Sequence, residues 1–110
     1  MEWIQGNGEH VLVVDDDHSV RSVLINILEY LGYSSAAVTS GEEAVRYLER
    51  NPAHLVMLDM QMSPGLNGRE TYEKILAINP DQPAILVSGY AESREIEQAL
   101  KLGASRFIKK

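Results

Sequence analysis

Polar residues follow directly on short apolar runs at four places in this chain. Asp15 and Asp16 follow VLVV at 11–14, and Asp59 follows LVML at 55–58. Ser88 follows AILV at 84–87, and Lys110 follows the run around Phe107 and Ile108. If those runs are neighbouring parallel strands, about 4.8 Å apart, the polar residues meet at one sheet edge. The carboxyl edge of such a sheet is where open α/β folds bind ligands. Three carboxylates crowded there repel, and a buried charge without a partner is costly. A hard divalent cation relieves that cost, and Mg²⁺ suits one or two carboxylates completed by water and phosphate oxygens. Lys110 offers a fixed positive charge from the far strand. A site of this kind welcomes a phosphoryl group: cation and ammonium neutralise its oxygens, Ser88 donates a hydrogen bond, and a carboxylate can attack phosphorus. Asp59, central in the row, is the natural acceptor, and the product would be an aspartyl phosphate.

The elements that must position these residues alternate regularly. HVLVV at 10–14 reads as a strand, and Val20, Val23, Leu24, Ile27, Leu28 and Leu31 recur at helical spacing behind it until Gly32 supplies a stop. Residues 33–38 are a weaker strand. Ser40 and Glu43 have the spacing of a capping box for a helix with Ala44, Val45 and Leu48 on its inner face, ended at Asn51-Pro52. Residues 55–58 read as a buried strand, and a turn-rich stretch at 63–68 leads to a helix bearing Tyr72, Ile75 and Leu76. Residues 84–87 form another strand, 91–101 a helix with Gly103 as its stop, and 106–109 a last strand. Short continuous apolar strands separated by helices predict an α/β fold with a parallel sheet covered on both faces. Five strands against four helices leave one helix-sized patch of sheet bare, or filled by a neighbouring molecule. Residues 1–8 read as an extension or linker remnant, and 9–110 as the domain.

The chain has 110 residues, with 45% hydrophobic, 24% charged and a formal net charge of −6, the make-up of one globular domain. That acidity argues against nucleic acid as a direct ligand, because phosphate backbones are held by Lys and Arg. Without cysteine there is neither a disulfide framework nor a thiolate metal site. No apolar stretch reaches the ~18 residues of a membrane span, and the N-terminal residues lack the apolar run of a signal peptide. A cytoplasmic location is the resulting expectation.

The motifs VLVVDDD at 11–17, LVMLDM at 55–60, PGLNG at 64–68, LVSGY at 86–90 and LGASRFIKK at 102–110 occur in an order that resembles the receiver domain of two-component response regulators. The resemblance runs from about His10 to Lys110. It implies a flavodoxin-like doubly wound sheet of order 2-1-3-4-5, here without the final helix. It also implies that Asp59 accepts phosphate from a phosphohistidine on a histidine kinase or histidine phosphotransfer protein, with Mg²⁺ as cofactor. By the same likeness Asp16 and Asp59 ligate the metal directly, Asp15 acts through water, and the backbone carbonyl of Gln61 is a further ligand. Ser88 and Phe107 stand at the switch positions, Lys110 at the site lysine, and Gln61 and Tyr90 where phosphate lifetime is tuned. Lys109 competes for the lysine assignment by eye, and counting from Gly103-Ala104 favours Lys110.

This sequence departs from the family pattern at several points. Ser63 lengthens the loop after Asp59, Phe107 has no hydroxyl, and the Lys-Pro that introduces the family's fifth helix is absent. The stretch Gly6 to His10 resembles the joint leading from a kinase module into a receiver, which makes a receiver segment of a hybrid sensor histidine kinase an alternative setting.

Other readings compete with the phosphoacceptor. Asp15, Asp16 and Asp17 could simply cap a helix. His10, His18 and His54 show no ligand spacing, and Met57, Met60 and Met62 read as packing. A phosphorylation-independent interaction module of the same fold would fail to bind beryllofluoride with Mg²⁺. A turnover phosphohydrolase is disfavoured because Gln61 stands where its second acid belongs. The expectation is a signalling switch, not a metabolic enzyme, with a homodimer through the bare face as a further expectation.

Overall fold

The computed structural model describes residues 7–62, 64–89, 94–104 and 106–109, with the side chains of 95 and 106–109 excepted. Strands and helices alternate: β1 His10–Val14, α1 His18–Tyr30, β2 Ser34–Val38, α2 Gly41–Arg50, β3 Leu55–Asp59, α3 Gly68–Ile78, β4 Ala84–Ser88, α4 Arg94–Leu102 and β5 Arg106–Lys109. All four pairings are parallel and the sheet order is β2-β1-β3-β4-β5. The α/β fold and its strand order are those expected. Element ends move by a residue or two, and 91–93, where the sequence starts its last helix, lie outside the described residues.

Strand alternation divides the interior into two cores. Leu12, Val14, Val56, Leu58, Ala84 and Leu86 face α2, α3 and α4, whose Ala44, Leu48, Tyr72, Ile75, Ile96 and Ala99 complete the larger core. Val11 and Val13 point to the other face and meet Leu28 of α1, with Leu24, Ile25, Leu55 and Met57 packed around them. Each fully buried Leu or Ile contributes about 1.5–3 kcal/mol, so the larger core dominates stability.

The helical stripe expected for α1 needs correction. Leu28 is buried, but Val23 is 56% and Ile27 48% exposed. The reason lies in the face it covers. Among the described residues α1 is the one helix in the smaller core, so Leu24, Ile25 and Leu28 face it while Val23 and Ile27 stand on the exposed flank. Leu55, Met57 and Ile85 of the sheet are only half-buried on that side.

Gly32 ends α1 as expected. Its φ of 89° is left-handed, and the turn closes through Tyr33 N–H to Leu28 O (2.9 Å) and Gly32 N–H to Glu29 O (3.0 Å). The capping box expected at α2 is only half made. Ser40 Oγ accepts from Glu43 N–H at 3.1 Å, but the Glu43 carboxylate turns away to Thr39, taking its N–H at 2.8 Å and its hydroxyl. The complete box is at α3, where the Asn67 side chain accepts from Glu70 N–H (2.8 Å) and Glu70 accepts from Asn67 N–H (3.0 Å).

Candidate functional site

The acidic pocket is assembled by register. Val14 pairs with Leu58 across β1 and β3, which places Asp15 level with Asp59. One carboxylate oxygen from each of Asp15, Asp16 and Asp59 lies within 4.8 Å of the others. Asp15 is 2% and Asp59 1% exposed, whereas Asp16 is exposed. Burial on one side and an open carboxylate on the other make a pocket with a mouth.

Local hydrogen bonds set its shape. Asp15 Oδ1 accepts from Asp17 N–H at 2.9 Å, and Asp17 Oδ1 in turn accepts from Ser19 N–H at 2.8 Å and caps α1. Asp59 Oδ1 accepts from Gln61 N–H at 3.1 Å, while the Gln61 side-chain oxygen accepts from Gly89 N–H at 3.1 Å and ties the loop after β3 to the loop after β4. Leu66 N–H donates to Glu42 Oε2 of α2 (3.2 Å), tying the approach to α3 to α2.

The donor set is hard oxygen only, which is the preference of Mg²⁺ and Ca²⁺ and not of soft metals. Oxygens on opposite sides of a Mg²⁺ ion stand about 4.2 Å apart, twice a ~2.1 Å bond. The observed 4.8 Å limit is thus within a small side-chain adjustment of a ligand cage. The residues present fit a divalent cation.

Ser88 is buried at the end of β4 and pairs in register with Lys109. Asp15, Asp16, Asp59, Gln61 and Ser88 therefore gather at one end of the sheet, as their places after the strands imply. Lys110 and Tyr90 lie outside the described residues. Of Phe107 and Lys109 only the backbone, in β5, is described.

Two features were missed in the sequence. Arg21 reaches back from the second turn of α1 and donates from Nη1 to the Asp15 carbonyl at 2.9 Å. Its signal was available: Arg21 is four residues after the cap Asp17, and helix side chains lean toward the N-terminus. The second feature joins two of the histidines that show no ligand spacing in the sequence. His10 N–H donates to His54 Nδ1 at 2.9 Å, and the His10 ring touches Ser34 Oγ (2.9 Å) and Tyr47 Oη. The β1–β3 register brings them together at the pole away from the carboxylates.

Glu43 has its carboxyl held below the usual range, chiefly by the Thr39 side-chain and backbone hydrogen bonds. Burial pushes the Tyr72 phenol above its ordinary value. Among the described residues no helix is long and apolar enough to cross a membrane.

The family model described as the response regulator receiver domain matches residues 11–110. The C4-dicarboxylate transport transcriptional regulatory protein DctD of Rhizobium meliloti is 37% identical over 100 residues, which are 91% of this chain and 22% of that protein. The chemotaxis protein CheY of Thermotoga maritima is 36% identical over 105 residues, 94% of this chain and 86% of CheY. A solved CheY-like receiver domain protein from Methanospirillum hungatei superposes with a TM-score of 0.88 at 29% identity, covering 94% of this chain and 82% of that one. The chain thus spans under a quarter of DctD and most of CheY. With its sheet order, its acidic pocket of Asp15, Asp16 and Asp59, and this match over nearly its whole length, the chain belongs to the response regulator receiver domains, which are signalling switches and not classical enzymes.

Proposed function

We propose that this receiver domain takes a phosphoryl group on Asp59 from a phosphohistidine of a histidine kinase or histidine phosphotransfer protein, in a reaction that requires Mg²⁺. The observation that carries this reading is the convergence of three carboxylate oxygens, from the ends of β1 and β3, within 4.8 Å. Asp16 and Asp59 would hold the cation directly and Asp15 through water, and the Gln61 carbonyl would complete the protein's share. When bound, the cation supplies the positive charge that lets a dianionic phosphoryl group enter an acidic pocket.

The chain's own residues do the rest. A carboxylate oxygen of Asp59 attacks phosphorus as the P–N bond of the phosphohistidine breaks, and its electron pair stays on the imidazole nitrogen. Burial of Asp59 fixes the attacking oxygen and keeps bulk water from competing. Ser88 donates its hydroxyl to one phosphoryl oxygen, and Lys110 brings an ammonium to another. Ser88 and Phe107 then relay occupancy toward α4 and β5, while Gln61 and Tyr90 tune how long the phosphate persists. Residues 9–110 act as the functional unit, and the open face beside α1 supports self-association.

Exchange of Asp59 for Asn tests the reading. With acetyl phosphate or phosphoramidate and Mg²⁺, the natural chain should gain one acid-stable, base-labile phosphoryl group by intact mass. D59N should gain none, and chelation of Mg²⁺ should abolish labelling of the natural chain. Undiminished labelling of D59N sinks the assignment.

A further inference from the structure

Resting on the reading that the acidic pocket holds a divalent cation, we infer that Arg21 is a positioning residue for the carboxylates that bind it. Asp15 is fixed at three points. Its N–H donates to Val38 O of β2 (3.2 Å), its Oδ1 accepts from Asp17 N–H (2.9 Å), and its carbonyl accepts from Arg21 Nη1 (2.9 Å). The first two hold the strand end and the turn. The third holds the peptide unit that joins Asp15 to Asp16, and so sets the direction in which the Asp16 side chain leaves the backbone. Asp16 depends on this constraint. Its carboxylate is exposed, and none of the hydrogen bonds among the described residues is made by it.

Charge alone does not explain the placement. The guanidinium donates to a neutral carbonyl, and its positive field also reaches Glu43 of α2, where it is the weakest of the influences lowering that carboxyl. A fixed cation beside a cation-binding pocket opposes the metal by Coulomb's law. Electrostatics and positioning therefore predict opposite signs. If Arg21 acted only as a charge, removing it would tighten metal binding; if it holds the loop, removing it weakens binding. Groups that orient metal ligands from behind typically matter by 10–100-fold in affinity.

The test is calorimetric titration of Mg²⁺ alone into the unphosphorylated full chain. Met keeps the unbranched stem and the helix propensity of Arg but has neither donor nor charge, so the sign of the change in R21M tells which of the two roles dominates. R21M should bind Mg²⁺ about tenfold more weakly, and R21K, which keeps a donor and the charge, should recover to within about threefold of the natural chain. Backbone amide signals of Asp16 and Asp17 should shift in metal-free R21M. Mg²⁺ binding by R21M as tight as, or tighter than, that of the natural chain overturns the inference while leaving the metal reading intact. A natural chain that binds no Mg²⁺ overturns both. If R21M is unfolded at the assay temperature, R21A, which also has neither donor nor charge, takes its place and is read the same way.

Discussion

Close approach at a single atom governs the geometry behind Asp59. A Cβ on Gly68 would stand 2.5 Å from Met60 Cα, 2.6 Å from its sulfur and 2.8 Å from the Asp59 carbonyl. Two of those neighbours are backbone and cannot swing aside, so Gly68→Ala must push α3 away from the end of β3. Overpacking of this kind costs about 1–3 kcal/mol, and urea unfolding should show it. The Mg²⁺ affinity of G68A should fall as well, since the displaced strand end carries Asp59. A second residue-scale prediction concerns acid. Because Glu43 titrates below its usual 4.5 in the folded chain, its stabilising contribution is complete above that value and is lost as pH falls through the lowered one. E43Q should therefore flatten the stability profile below about pH 4.5, measured by denaturant midpoints across pH; an unchanged acid limb counts against the Thr39–Glu43 bond. Asp15, Asp16 and Asp59 were legible in the sequence because each follows an apolar run, so a strand end and a pocket residue coincide. The His10–His54 contact was not legible, since it joins positions 44 apart through a register that no local pattern encodes.

At the scale of elements, α3 depends on its first turn. Asn67 and Glu70 exchange side-chain-to-backbone hydrogen bonds, and Asn67→Ala should cost about 1 kcal/mol. A thermal midpoint that does not fall in N67A would contradict the box. Ser40-x-x-Glu43 and Asn67-x-x-Glu70 share one spacing, yet only the second closes. Thr39 makes the difference by offering Glu43 an N–H and a hydroxyl together, a tertiary choice that spacing does not reveal. Strands β1, β3 and β4 were plain because continuous Val, Leu and Ile runs fit a sheet covered on both sides. The fainter signal of β2 has a physical origin: as an edge strand it is served by mostly small residues, SSAAV, none of them fully buried and two of the five exposed. Helix α1 showed its period but not its depth of burial, which depends on what else shares its side of the sheet.

For the molecule as a whole, two consequences follow from charge and from the uneven cores. Three carboxylates within one small pocket repel in the absence of a cation. Mg²⁺ at about 100 times its dissociation constant should then raise stability by about 2.7 kcal/mol. D16N should lose that gain and be at least as stable as the natural chain without metal; a normal Mg²⁺ response in D16N would refute its place in the pocket. The exposed Val23, Ile27 and Tyr30 of α1, at 56%, 48% and 89%, recur at spacings of four and three and form an apolar helix face of the kind that drives association. Sedimentation velocity should show reversible self-association at high concentration, abolished in a V23E/I27E double variant; a strictly monomeric natural chain would exclude it. The strand order β2-β1-β3-β4-β5 bears also on how the chain emerges from the ribosome. The first two strands meet early, and each later one joins the same growing border, so assembly runs outward in a single direction. Asp59 joins the early acidic residues only with the third strand, and Ser88 only with the fourth. The nascent chain therefore cannot bring Asp15, Asp59 and Ser88 to one sheet edge until β4 has been translated.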